Sequence, residues 1–285
     1  MTLEPSDPSS LAAILQVERL YAGLIRNAGQ QSDGEPTLGG QLLYAGELDA
    51  EARALTIAAN IAGAATLAAT ADAGLQKQAI RDGVVDFLVT SLDEAIRILK
   101  NEIRKRETVA VCVGASPEAV EQEMAERGLL PDLVFPTPRG GSHDTKSQPR
   151  PVRPAPLDLH QALLTWRVDR SPALWLPRLD ALALEHIGPG NGAARRWLRL
   201  APRFLGRLSR NVRVLSCDPK AAQELVERFQ TSVLRGEIGA EVEISLTIGH
   251  QTAQQALSLP RNPACSKLSF SPADCQWPQS GPRVP

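Results

Sequence analysis

Apolar residues in the first part of the chain fall at Ile14, Val17, Leu20 and Leu24, a spacing that predicts a helix over residues 10–28. The residues before it are polar and read as disordered, and 30–36 read as a loop. From Gly40 the period changes. Short apolar runs at 41–45 and 64–70 predict strands, with an Ala-rich helix over 49–61 between them and a short helix from Asp72 to about Arg81. The next elements carry sharper boundaries. Residues 84–89 form an apolar run broken by Asp86, the pattern of a strand buried on both faces. Ser91 and Glu94 then have capping-box spacing. Leu92, Ala95, Ile96, Leu99 and Ile103 line one helical face, and Lys100, Arg104, Lys105 and Arg106 load the last turn, where cations suit the helix dipole. Residues 108–113 predict another buried strand. Ser116-Pro117 opens a helix that Gly128 ends, and 132–135 predict a further strand. Strand and helix alternating across short loops predict a parallel sheet.

The second half is less regular. Residues 145–156 (TKSQPRPVRPAP) are basic and Pro-rich and read as a linker or an extended arm. Residues 160–186 read as mostly helical, with breaks at Ser171-Pro172 and Pro177, and 188–192 as a glycine-rich turn. An amphipathic basic stretch over 195–208 precedes a strand at 212–216. Asp218 and Pro219 open a helix whose stripe is Leu225, Val226, Phe229 and Val233, and a last strand is expected over 241–248. Residues 251–285 read as a disordered tail.

The balance of 43% hydrophobic and 22% charged residues is that of an ordinary globular protein. A net charge of −1 gives no electrostatic reason to expect nucleic acid as a partner. The start lacks the basic and apolar regions of a signal peptide, and no run of apolar residues is long enough to span a membrane. Cys112, Cys217, Cys265 and Cys275 lack metal-ligand spacing and read as reduced thiols, so a cytoplasmic protein without a metal site is expected.

Two blocks resemble urocanase (urocanate hydratase). The first, residues 39–144, contains LQKQAIRDGVVDF and LPDLVFPTPRGGSHD; the second, roughly 195–250, contains SRNVRVLSCDPKAAQELVERFQ and EVEISLTIGH. The resemblance implies a Rossmann-like NAD domain over 39–144, a linker at 145–157 and a smaller α/β core remnant over 158–250. A chain of about half a family member's length implies a truncated, divergent relative. In this family NAD acts as an electrophile that bonds to the substrate, and members tend to be dimers.

The positions that should carry the chemistry hold other residues. The family's glycine-rich loop, roughly GLGGMGG, lets backbone N–H groups approach a pyrophosphate at a helix N-terminus. Glu47–Arg53 (ELDAEAR) occupies that place, with Gly46 just before it. Glu47, Asp49 and Glu51 would set charge against a pyrophosphate, at roughly 1–4 kcal/mol per close pair depending on the local dielectric. In a helix's first turn the same acids suit the dipole. The family's ribose-binding acid falls at Thr70; Asp72, two residues on, is a substitute or a helix cap. Ser142, His143 and Asp144 resemble the end of the family's TDQTSAHD, without its Asp-Gln pair. Lys220 stands at the arginine of a Gly-x-Gly-acidic-Arg loop and keeps its charge but not its fork. His250 survives from an RDHLDCGS-like motif that has otherwise gone. Cys217 opens a helix, where a thiolate is favoured.

The resulting expectation is an α/β protein with a Rossmann-like parallel sheet that no longer hydrates urocanate efficiently, binds no NAD, and uses its fold for a partner or an altered ligand. Weak catalytic candidates are Lys220 and His250; weak cofactor-binding candidates are Gly46, Asp72, Ser142 and His143. One alternative is an active NAD-dependent hydro-lyase. Another is a scaffold whose basic arm, 145–156, docks a protein partner.

Overall fold

A computed structural model describes residues 8–28, 34–135, 149–156, 160–249 and 251–258. The chain opens with α1 (Pro8–Ile25), which starts two residues earlier than expected. Then β1 (Leu42–Glu47), α2 (Ala50–Ala62), β2 (Ala65–Ala69), α3 (Ala73–Arg81), β3 (Phe87–Val89), α4 (Leu92–Lys105), β4 (Val109–Val113), α5 (Pro117–Glu126) and β5 (Leu133–Val134) alternate as the period predicts. With β6 (Arg150–Pro151) these strands form a six-stranded sheet in the order β3-β4-β2-β1-β5-β6, and every pairing is parallel.

The side chains of this sheet sort cleanly by period two. Tyr44, Leu67, Val89, Val111 and Val113 pack on α4 and α5. Leu43, Ala45, Ala68, Ala110 and Cys112 face the other way, into a cluster that includes α1 and α2. The small residues on that face match the Ala-rich α2, so helix and sheet approach closely. This is why β2 tolerates Ala68 on that face despite the low strand preference of alanine; Ala65 and Ala69 face the other way.

The second sheet has the order β10-β9-β7-β8 and is antiparallel. It is built from β7 (Ala162–Arg167), β8 (Val212–Cys217), β9 (Val242–Ile248) and β10 (Gln251–Leu257). Helices α6 (Pro172–Ile187), α7 (Gly192–Leu205) and α8 (Pro219–Leu234) complete this part. One hydrophobic cluster runs through both halves, from Ile14 and Leu55 to Trp166, Phe229 and Ile244.

Four expectations change. Residues 160–186 are not mostly helical: Ala162, Leu164 and Trp166 alternate inward on β7, the central pairing partner of both β8 and β9. Pro177 sits inside α6 rather than breaking it. The run at 84–89 is not a strand buried on both faces. It yields three residues of strand at the sheet edge, with Phe87 and Leu88 exposed, while Val84 and Val85 enter the core before the strand begins. Residues 251–257, expected in a disordered tail, form β10.

The Pro-rich arm is docked over the part described. β6 pairs with β5, Val152 is fully buried, and the Ala155 amide donates to the Arg19 carbonyl at 2.8 Å. Proline suits this edge position, where a missing donor costs nothing. Residues 145–148 lie outside the described residues.

Candidate functional site at the carboxyl edge of the parallel sheet

In open α/β sheets ligands bind beyond the carboxyl ends of the strands. Here the β1–α2 turn lies at that edge. The pairing of β1 with β2 slips between Tyr44 and Gly46, leaving Ala45 as an extra residue, and Gly46 takes φ +75°. Glycine is the residue for such a bulge. Gly46 therefore shapes the strand end; a phosphate-facing role is not needed to explain it.

Asp49 follows as the N-cap of α2. Its Oδ1 accepts from the amides of Glu51 and Ala52, both at 2.9 Å, and its carbonyl accepts from Arg53 N at 3.0 Å. The Arg53 guanidinium turns to Asp82, 2.7 Å away. The donors that a pyrophosphate would need are held by a carboxylate of the chain itself, with Glu47 and Glu51 on either side. These residues do not fit an NAD pyrophosphate, because a dianion would have to displace Asp49 and then sit among acids.

The next turn is closed in the same way. Asp72 Oδ1 accepts from Gly74 N at 2.6 Å and Leu75 N at 3.1 Å, and its own amide donates to Thr70 Oγ1 at 3.2 Å. Gln76 Nε2 donates to the Thr70 carbonyl at 2.8 Å. Asp72 is thus the cap of α3. Ser91 and Ser116 cap α4 and α5 through the amides of Glu94 and Ala119, each at 3.3 Å. All four helices that leave this edge are capped by their own side chains.

The remaining candidates divide. Ser142, His143 and His250 lie outside the described residues. Lys220 stands in the first turn of α8 with its side chain 83% exposed, 3.9 Å from Glu224, which is a solvated lysine rather than an anion clamp. Asp218, beside it, caps α8 through Lys220 N at 2.9 Å and Ala221 N at 3.3 Å. Cys217 is buried, and burial, helped by the Asp218 charge, pushes its thiol up to about 11. Desolvation thus works against the thiolate that a helix start favours. Among the described residues no group of three or more His, Cys, Asp or Glu side chains is placed to hold a metal, and no helix is long and apolar enough to cross a membrane.

A second concavity, of about 550 Å³, lies among α1, the start of β7, the start of α7 and the β8–α8 turn. Glu18 of α1 lines it, and burial, only partly offset by Arg19, pushes its carboxyl up from 4.5 to about 7. The sequence did carry a sign of this residue. Glu18 is four residues from Ile14 and three from Tyr21, so an acid interrupts the buried stripe of the helix.

A carboxyl with a raised value in the folded state binds its proton more tightly there than in the unfolded chain. Its folded form is favoured at low pH, and stability falls as pH rises from about 4.5 to about 7. The Glu18→Gln variant should match the parent in chemical denaturation at pH 5. It should be more stable at pH 8, by up to about 3 kcal/mol, the equivalent of the displaced titration. An equal difference at both pH values would refute the assignment.

A parallel sheet with helices on both faces and crossovers through α2 to α5 defines a Rossmann-like α/β domain. Residues 21–151 match the family model of the urocanase Rossmann-like domain. That stretch is thus similar to the urocanase Rossmann-like domain, which in the urocanase family is the domain associated with NAD. The matched range ends on β6, the strand that completes the sheet.

Proposed function

We propose that this protein is a urocanase relative that does not hydrate urocanate efficiently and uses its α/β scaffold to bind a different molecule. One observation carries the reading: Asp49 takes the first free amides of α2, with Glu47 and Glu51 flanking it, where the family's glycine-rich loop would meet a pyrophosphate. A helix start that already holds a carboxylate has little left for a second anion. The rest of the Rossmann-like grammar is intact, so the fold has been kept while its phosphate cradle has been rebuilt as a cap. The family match favours the rival reading, an active NAD-dependent hydro-lyase.

One assay decides between them. Purified protein with urocanate and added NAD should leave the ultraviolet absorbance of urocanate unchanged over hours. A protein-dependent, saturable loss of that absorbance would establish the hydro-lyase instead.

A further inference from the structure

The cavity beside α1 is not lined by Gly46, Glu47, Asp49 or Asp72, so it owes nothing to the edge of the parallel sheet. At about 550 Å³ it is within the size range of small-molecule sites. Leu163, Leu215 and the buried ring of Trp197 give it an apolar wall. Glu18 brings a carboxyl to that wall, and among the described residues it has neither a hydrogen bond nor an ion pair.

Three of the donors nearby are spent on other groups. Arg19 Nε donates to the Ala155 carbonyl at 3.1 Å, and Tyr21 Oη donates to the Ala193 carbonyl at 2.8 Å. Ser216 Oγ donates to Gln161 Oε1 at 2.7 Å. A half-buried carboxylate that accepts no hydrogen bond from the chain suits a molecule that brings donors of its own. Asp218 adds a second negative charge to the same cavity.

We propose that this cavity binds a small organic cation, with its ammonium group on the Glu18 carboxylate and its apolar body against Trp197 and Leu215. Such a ligand supplies donors to Glu18 and a charge that offsets its partial desolvation.

The charged and titratable groups facing the cavity are Glu18, Arg19 and Tyr21 on α1, Arg26 just after it, His160 before β7, and Asp218 and Cys217 at the β8–α8 turn. Below pH 7 the Glu18 carboxyl is protonated and neutral; above it the group is charged. Affinity for a ligand that stays cationic therefore rises with pH through about 7 and then levels off.

Calorimetric titration with benzylamine, benzyl alcohol and benzoate tests this. The three share one body and differ in charge. Benzylamine should bind at least tenfold tighter than the other two at pH 8, with affinity falling toward pH 5. The Glu18→Gln variant should lose both the tenfold preference and the pH step while retaining its far-ultraviolet dichroism and its affinity for benzyl alcohol. His160→Asn should keep the pH step. Tighter binding of benzoate, a preference that survives Glu18→Gln, a step that vanishes only with His160→Asn, or binding of none of the three each overturns the proposal.

Discussion

Replacing Trp166 by alanine is expected to remove about 3–5 kcal/mol of stability, the range for deleting a fully buried large aromatic side chain. Trp166 is fully buried on β7, between β8 and β9, and its ring meets that of Phe229 edge-on at a centroid distance of 5.4 Å. Nothing nearby can collapse into the space, because the strands on both sides are fixed by ladder pairing. The indole Nε1 makes only a weak polar contact, with the buried Asp180 carboxyl, so little polar energy is lost with the ring. Trp166→Phe should accordingly keep most of the stability. Because one hydrophobic cluster spans both sheets, the loss should appear in a single unfolding transition. Urea denaturation followed by far-ultraviolet dichroism and by tryptophan fluorescence measures this. Separate midpoints for the two probes would show that the halves unfold independently.

The second large effect is expected at Gly23, where the usual sign reverses. Glycine to alanine inside a helix ordinarily stabilises by roughly 0.5–1 kcal/mol. Here α1 lies flush against residues 153–155, and a Cβ at Gly23 would sit 2.0 Å from the Arg153 carbonyl oxygen and 3.3 Å from Ala155 N. Both are backbone atoms, in a segment pinned by bonds between Ala155 and Arg19. No flexible side chain can yield. Gly23→Ala should cost about 1–3 kcal/mol or more, as overpacking does. It should also open residues 149–156 to limited proteolysis, since seat and strand cannot both be kept. A variant as stable as the parent would mean that the arm does not dock as described.

The parts that were legible in the sequence are those decided within a few residues. Asp49, Asp72, Ser91, Ser116 and Asp218 all cap the helices they were expected to open, because a cap needs only a side-chain oxygen and two amides two or three residues on. The strands β1, β2, β4 and β8 announced themselves as apolar runs between those caps. The missed strands lack that signal. β10 reads QTAQQAL and exposes Thr252 and Gln254, so its place is given by seven-residue pairing with β9 and not by its own hydrophobicity. β6 lies in a Pro-rich segment that composition alone marks as an arm. β7 is a short run flanked by breakers, and its alternation was outweighed by them.

The candidate site divides along the same line. That the β1–α2 turn carries an acidic cap was readable from ELDAEAR, since both the charge and the cap are local. The burial that raises the Cys217 thiol was not readable, because burial is a property of the assembled fold. The cavity at Glu18 draws on α1, β7, α7 and the β8–α8 turn, residues about two hundred positions apart, and only the interrupted stripe on α1 hinted at it.

The central claim is that this fold has kept the form of a urocanase Rossmann-like domain while closing its dinucleotide cradle. Mass spectrometry of the purified protein, first native and then denatured, tests it most directly. The predicted result is the mass of the chain alone in both states, unchanged after incubation with excess NAD. A native mass increased by one NAD, released on denaturation, would contradict the account and return NAD chemistry to this domain.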